Sequence, residues 1–230
     1  MTASFPDYLS VSPDHLGRGT AVRVRRCSDR DALARDMAQA MFDIVAGAQR
    51  EGRPGTLIVP VGPVDQFPLL AELINRRRAN WQNVVLINMD EYLTDDGQWV
   101  AEDHPLSFRS YMQRQFYDLI DPVLAPRPEN RVFPDPADFT AVARIIERYS
   151  YVDACFGGLG INGHIAFNEP PEPGRFVTVE QFAELPARVL DLSRETRKIN
   201  SVTVGGELSV IPRRAVTVGM KEILDRKSVV

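Results

Sequence analysis

One of the three histidines of the chain lies in a glycine-rich segment and is followed five residues later by a glutamate. The segment, residues 157–170, reads GGLGINGHIAFNEP and contains His164 and Glu169. Glycine lets the backbone adopt positive φ and approach a ligand closely, so the segment favours a turn over a packed helix. An imidazole beside a carboxylate can move protons near neutral pH. Taken alone, the pattern more often describes a strand-to-helix turn with a solvent-facing histidine.

Two adjacent carboxylates follow a hydrophobic segment earlier in the chain. Residues 84–87, VVLI, are typical of a buried parallel strand, and Asp90 and Glu91 follow it after Asn88 and Met89. A second short apolar run, residues 151–156, precedes the glycine segment. Because ligands of open α/β sheets bind at the carboxyl ends of strands, we expect Asp90 and His164 to face one cavity. Either carboxylate alone could instead cap a helix or occupy a solvated turn.

The remaining segments predict alternating strands and helices. Strands are predicted at residues 21–26 and 56–59, helices at 33–45, 69–78 and 137–149, and a proline-rich surface connection at 121–138. We therefore predict a single α/β domain over residues 1–230. It is expected to be doubly wound and Rossmann-like, with a mostly parallel sheet and helices on both faces. Residues 171–185 predict either a lid beside the site or an ordinary loop with a short helix.

Composition narrows the functional class without identifying a reaction. The net charge of −4 disfavours nonspecific nucleic-acid binding, and no apolar run approaches the ~20 residues of a membrane span. The N-terminus has no targeting pattern, and Cys27 and Cys155 are typical of reduced thiols. No Cys/His cluster has zinc-ligand spacing. We expect a cytoplasmic enzyme that acts on a small molecule without a metal or cofactor.

The two central motifs together resemble the glucosamine-6-phosphate deaminase (isomerase) family, which shares a superfamily with the 6-phosphogluconolactonases. They are residues 88–92, NMDEY, and residues 162–170, NGHIAFNEP. The similarity extends to residues 104–108 and 215–220. The lactonases typically have Asp-Glu-Arg after the strand and Gly-His-Thr-Ala in the loop. Tyr92 and the segment after His164 therefore favour the deaminase branch.

The resemblance implies an isomerase that converts a 2-amino aldose to a ketose with release of ammonia. It assigns the proton transfer between C1 and C2 to Asp90, and ring opening to His164 with Glu169 as its carboxylate partner. Asn162, where the family often has an aspartate, joins this catalytic set because an amide can still hydrogen-bond the imidazole. The substrate-binding residues that we expect are Gly62, Glu91, Gly158, Gly160, Gly163 and Ala166. The family includes both monomers and hexamers, so the resemblance leaves a homo-oligomer open.

The predicted phosphate site departs from the family pattern. The family has a Thr-Gly-Gly-Thr-Pro turn that cradles the sugar phosphate at a helix N-terminus, whereas residues 60–65 here read PVGPVD. Gly62 survives, Pro63 removes an N–H donor, and Asp65 adds a charge that repels phosphate. Val202 stands where the family has a phosphate-binding arginine. Five nearby cations are expected to form a solvated basic surface: Arg194, Arg197, Lys198, Arg213 and Arg214.

Family members also continue beyond the last residues of this sequence, with another strand, a phosphate-binding lysine and a closing helix. We therefore expect a fold that is shortened at its C-terminus. Our hypothesis is that the proton-transfer groups are retained and the phosphate subsite is remodelled for an unphosphorylated, uronate-like or differently decorated sugar. Two alternatives remain open: a lactonase-type hydrolase in which His164 activates water, and a non-catalytic sugar-binding relative.

Overall fold

The computed structural model describes residues 10–62, 65–150, 152–172 and 174–224. Its α-helices are α1 (Arg30–Arg50), α2 (Gln66–Arg77), α3 (Phe108–Gln115), α4 (Ala141–Tyr149), α5 (Val179–Ala183), α6 (Arg194–Asn200) and α7 (Met220–Leu224). Its strands are β1 (Thr56–Val59), β2 (Val85–Asn88), β3 (Asp90–Leu93), β4 (Arg131–Val132), β5 (Ala154–Cys155), β6 (Arg188–Asp191) and β7 (Arg214–Thr217). Among the described residues, no helix is long and apolar enough to cross a bilayer.

The strands form two sheets of different kinds. A four-stranded parallel sheet has the order β4-β2-β1-β5, and a three-stranded antiparallel sheet has the order β3-β7-β6. Met89 alone separates β2 from β3, so the chain passes directly from the first sheet into the second. The predicted doubly wound α/β class is confirmed. The separate antiparallel sheet was not predicted.

Both faces of the parallel sheet are covered by helices. Alternate residues of a strand point to opposite faces, and the core divides accordingly. Leu57 and Leu86 pack in the cluster that contains residues of α1 and α2. Ile58 and Ile87 pack in a second cluster with residues of α4 and α7. This two-sided burial explains why these strands read as continuous apolar runs.

Several predicted boundaries need correction. Residues 21–26 do not form the predicted strand: Val22 and Val24 are 67% and 48% exposed, and no neighbouring strand pairs with them among the described residues. A strand needs such a partner to satisfy its backbone. The helix predicted at 69–78 begins earlier, at Gln66, and the one predicted at 137–149 begins later, at Ala141. The segment after Pro170 contains α5, which begins at the N-cap Thr178.

Candidate functional site

Asp90 is the first residue of β3, at the point where the chain leaves the parallel sheet. The preceding residue is fixed on both sides: the N–H of Met89 donates to the carbonyl of Val59 (3.1 Å), and its carbonyl accepts from the N–H of Val218 (2.7 Å). Because successive side chains of a strand alternate, Asp90 and Glu91 point in opposite directions. Asp90 lines a cavity at the carboxyl end of the parallel strands, where open α/β sheets bind their ligands.

The Glu91 carboxylate lies outside this cavity and holds the start of α3. It is completely buried. It accepts hydrogen bonds from the backbone N–H groups of Phe108 (3.1 Å) and Arg109 (2.9 Å) and from Oγ of Ser107 (3.3 Å). A carboxylate is favourable at a helix N-terminus. Burial raises the pKa of Glu91, and these hydrogen bonds act in the opposite direction. The structure thus places Glu91, which the resemblance assigned to substrate binding, against the start of α3 and not on the wall of the cavity.

The glycine segment after β5 forms a tight turn that presents the ring of His164. Leu159 and Ile165 pair across the turn, and the N–H of Gly160 donates to the carbonyl of His164 (2.9 Å). Gly163 has a φ of +86°, in the region that glycine adopts without steric cost. A β-carbon on Gly160 would lie 2.1 Å from Nε2 of His164. The turn therefore needs glycine at residue 160 to leave space for the imidazole.

An amide lies between the imidazole and the carboxylate that the sequence predicted to be direct partners. Nδ1 of His164 is 2.7 Å from Oδ1 of Asn162, and Nδ2 of Asn162 donates to Oε2 of Glu169 (2.5 Å). The direct distance from Nδ1 of His164 to Oε2 of Glu169 is 3.7 Å. The order of contacts is therefore imidazole, amide, carboxylate.

This order fixes the tautomer of the imidazole. An ionised carboxylate only accepts hydrogen bonds, so the NH₂ group of Asn162 must face Glu169 and its oxygen must face His164. Nδ1 of His164 therefore carries the hydrogen, and Nε2 keeps its lone pair. Nε2 is the nitrogen that lies against Gly160.

The titration of the two central groups is shifted by burial. Burial, with a smaller contribution from the neighbouring Glu91 charge, raises the pKa of Asp90 to about 8. Burial lowers the pKa of His164, and the Glu169 charge partly opposes this shift. The site therefore combines a carboxylate that is unusually basic when ionised with an imidazole that is neutral at pH 7.

Asp90 and His164 line a single cavity of about 490 Å³. Of the other predicted residues, Gly62, Gly158, Gly160 and Ala166 also line it. Ala166 has a φ of +54°, which is uncommon for a residue with a β-carbon.

Asn162, Gly163 and Glu169 lie behind the imidazole and not on the wall of this cavity. Asn162 and Gly163 instead line a neighbouring cavity of about 280 Å³, whose other wall includes Val177 and Phe182 from the predicted lid. The structure thus places the predicted lid segment against the back of the glycine turn.

Four polar residues of the cavity were missed by the sequence motifs. They are Arg30, Tyr111, Asn200 and Thr203. Nδ2 of Asn200, the last residue of α6, donates to the Tyr92 hydroxyl (2.8 Å), which ties this helix to the cavity wall. Arg30 begins α1, sixty residues before Asp90 along the chain. No local pattern distinguishes it from an ordinary solvated first-turn residue.

The predicted phosphate subsite is only partly within the described residues. Gly62 and Asp65 line the cavity, whereas Pro63 and Val64 lie outside the described part of the chain. Val202 is 70% exposed and does not line the cavity. None of the five predicted basic-surface residues lines it either, and among the described residues Arg30 is the one Lys or Arg that does.

A metal site is not formed by the described residues. No three His, Cys, Asp or Glu side chains within residues 10–62, 65–150, 152–172 and 174–224 lie close enough together to hold an ion. The ionisable groups that line the cavity are the carboxyls of Asp65 and Asp90, the His164 imidazole, the Arg30 guanidinium and the hydroxyls of Tyr92 and Tyr111.

Comparison with curated proteins confirms the resemblance found in the motifs. No protein-family model matches the chain. Over 183 residues, 77% of its length, it is 33% identical to a glucosamine-6-phosphate deaminase of Aeromonas hydrophila subsp. hydrophila. It is 32% identical, over 183 residues, to a glucosamine-6-phosphate deaminase of Cronobacter sakazakii. The chain spans 63% of the length of each of these relatives.

Solved structures share the fold. A monomeric glucosamine-6-phosphate deaminase of the NagB superfamily superposes with a TM-score of 0.71 at 23% identity, covering 90% of this chain and 80% of the other. A 6-phosphogluconolactonase from Plasmodium vivax superposes with a TM-score of 0.59 at 16% identity, covering 87% of this chain and 72% of the other. The architecture is thus common to deaminases and lactonases, and the choice between their reactions depends on the site.

Proposed function

We propose that this relative of the glucosamine-6-phosphate deaminases opens the ring of a 2-amino aldose and moves a proton between C1 and C2, releasing ammonia. The observation that carries the proposal is that Asp90 and His164 line the same cavity of about 490 Å³. The chain is 33% identical over 183 residues to a curated deaminase.

Ring opening is assigned to His164. Its Nε2 lone pair takes the proton of the anomeric hydroxyl, the bond between C1 and the ring oxygen breaks, and the imidazolium returns this proton to the ring oxygen. Asn162 holds the hydrogen on Nδ1 throughout, so the imidazole exchanges protons with substrate only through Nε2. The product is an open-chain aldehyde that still carries its amino group at C2.

Proton transfer between C1 and C2 is assigned to Asp90. Its carboxylate removes the weakly acidic C2 proton, and the C1 oxygen takes a proton from the substrate ammonium group to give an enolamine. The Asp90 carboxyl, in exchange with solvent, then returns a proton to C1. The resulting iminium at C2 is hydrolysed by water, which leaves a ketose and releases ammonia. A carboxyl whose pKa is raised to about 8 is a stronger base than an exposed one. A substrate ammonium group beside it would favour its ionised form.

The substrate that we propose is an amino sugar without a 6-phosphate. In the described wall of the cavity, the single guanidinium of Arg30 is offset by the carboxylate of Asp65. A phosphate dianion bound there would meet a like charge, whereas a hydroxyl could donate to the carboxylate. Val202, which stands in place of the family arginine, supplies no charge.

The test is to incubate the protein with glucosamine and with glucosamine 6-phosphate in D₂O, and to follow ammonia, ketose and deuterium at C1. We expect wild type to form ammonia and a ketose with deuterium at C1 from glucosamine, and Asp90→Asn to form neither product. Release of acid from a sugar lactone without ammonia from either amino sugar would contradict the proposal and favour the lactonase alternative. Turnover of the phosphorylated sugar alone would retain the reaction and overturn the proposed substrate.

A further inference from the structure

Ser193 and Thr196, at the start of α6, form a layer of contacts behind the imidazole that neither sequence motif contains. Ser193 is the N-cap of this helix, and its Oγ accepts from the N–H of Thr196 (3.2 Å). Thr196 is completely buried although its side chain carries a hydroxyl. A buried hydroxyl of this kind needs a hydrogen-bond partner.

Ser193 contacts both of the residues that lie behind His164, Asn162 and Glu169. Its backbone N–H donates to Oε1 of Glu169 (3.2 Å). Its Oγ lies 3.4 Å from Nδ2 of Asn162, and accepts a hydrogen bond from it. The same NH₂ group also donates to Glu169. Since both acceptors lie on one side of the Asn162 amide, they stabilise the orientation in which its oxygen faces His164.

Thr196 links Ser193 to the imidazole of His164. Oγ of Ser193 donates its hydrogen to Oγ1 of Thr196 (3.1 Å). Oγ1 of Thr196 lies 3.4 Å from Nδ1 of His164. Since Ser193 supplies a hydrogen to this hydroxyl and Nδ1 already carries one, the Thr196 oxygen acts as a second acceptor for the Nδ1 hydrogen.

We propose that Ser193 and Thr196 are positioning residues that hold His164 in its Nδ1–H tautomer and leave Nε2 available to the substrate. Neither residue lines the cavity, so both act through His164 and Asn162. The catalytic consequence rests on the proposed function, whereas the tautomer is a property of the free protein.

The test uses Thr196→Val, which keeps the shape of the side chain and removes its oxygen, with Thr196→Ser as the matched control. ¹⁵N and ¹³C spectra of histidine-labelled protein report the tautomer directly, and the His164 signals are assigned by their loss in His164→Gln. We expect the Nδ1–H tautomer to predominate in wild type and in Thr196→Ser. In Thr196→Val, the Nε2–H tautomer should increase. An unchanged tautomer ratio in Thr196→Val would overturn the proposal.

Kinetics provide a second readout. We expect Thr196→Val to lower kcat about tenfold, less than the ~10²-fold or more that a general acid–base group contributes, with KM unchanged and activity restored in Thr196→Ser. A rise in KM with kcat unchanged would overturn the proposed positioning role. If Thr196→Val does not fold, Thr196→Cys tests the same contact, because a thiol is a weaker acceptor of similar shape. Wild type without turnover would contradict the proposed function and leave the tautomer test intact.

Discussion

The imidazole of His164 lies against the α-carbon of Gly160, with space for a hydrogen and not for a methyl group. A β-carbon at residue 160 would lie 2.1 Å from Nε2, 2.2 Å from Cε1 and 2.6 Å from Cδ2 of the ring. The position of the proton-accepting nitrogen therefore depends on the absence of a side chain four residues earlier.

Gly160→Ala should displace the ring and lower kcat by about 10²-fold, since a misplacement of roughly 1 Å can have an effect of this size. Steady-state kinetics on the amino sugar measures the change. Gly47→Ala in α1 is the control, because its β-carbon would approach no atom more closely than 3.8 Å. Equal activity of both variants would show that the ring does not need this space.

Asp90→Asn should abolish turnover and make the protein more stable at alkaline pH. The folded-state pKa of about 8 lies above the ordinary value of 3.8, so the folded state favours the protonated carboxyl. The associated stability is present below pH 4 and is lost as pH rises through 8. The uncharged amide avoids this loss, and we expect a gain of about 1–2 kcal/mol. Urea unfolding at pH 5 and pH 9 measures the free energy of unfolding. A variant less stable than wild type at pH 9 would contradict the burial argument.

The activity of wild type should rise with pH as Asp90 ionises. A base must be deprotonated to remove the C2 proton. The raised pKa of about 8 therefore places the rise in activity above neutral pH in the free enzyme. The pH dependence of kcat/KM reports that pKa. Because a substrate ammonium group favours the ionised carboxyl, the rise of kcat with pH should occur at lower pH than the rise of kcat/KM. A kcat/KM that is flat from pH 6 to 9 would exclude Asp90 as the base.

Glu91→Ala should lower the stability of the protein far more than it changes the chemistry. The substitution removes the acceptor of the Phe108 and Arg109 N–H groups and leaves the Arg109 guanidinium without this carboxylate. Loss of one partner from a buried charged network typically costs about 3–5 kcal/mol. Chemical unfolding gives the cost, with Glu91→Gln as a milder control that keeps part of the hydrogen bonding. A stable Glu91→Ala protein with a raised KM would instead support contact with substrate.

Asn162→Asp should raise the pKa of His164. The new carboxylate would lie at the 2.7 Å contact with Nδ1 and favour the charged imidazolium. In wild type, burial lowers this pKa and the more distant Glu169 charge only partly opposes it. An NMR titration follows the His164 signals, with those of His15 and His104 as internal references. An unchanged His164 titration would contradict the direct contact with residue 162.

Asp65→Asn should improve the use of phosphorylated sugar relative to unphosphorylated sugar. Removing a carboxylate from the cavity wall removes repulsion of the phosphate dianion. A gain of about 1 kcal/mol, roughly fivefold in the ratio of kcat/KM values, is expected. Glu72→Gln, which changes an exposed carboxylate of α2 in an ion pair with Arg76, is the matched control. An unchanged ratio in Asp65→Asn would indicate that the phosphate group does not approach this residue.

The sequence by itself determined the apolar segments of β1, β2 and β5 and the two motifs at their ends. It did not predict β4, which lies within residues 121–138, the predicted surface connection. Ile58 and Ile87 lie in strands that are buried on both faces of the sheet. Such strands form short continuous apolar runs, which the sequence shows without any knowledge of distant contacts. The same logic placed Asp90 and His164 at one edge of the sheet. It could not place residues 21–26, whose alternating pattern has no partner strand among the described residues.

Only the tertiary structure decided which polar groups meet. Asp90 and Glu91 are adjacent in sequence, yet β3 turns one into the cavity and the other toward α3, because a strand alternates its side chains. Asn162 lies between His164 and Glu169 because the turn at Gly163 folds the segment back. Arg30, Thr196 and Asn200 reach the site from helices distant in the chain. Such contacts depend on packing across the whole fold, which no local pattern of residues encodes.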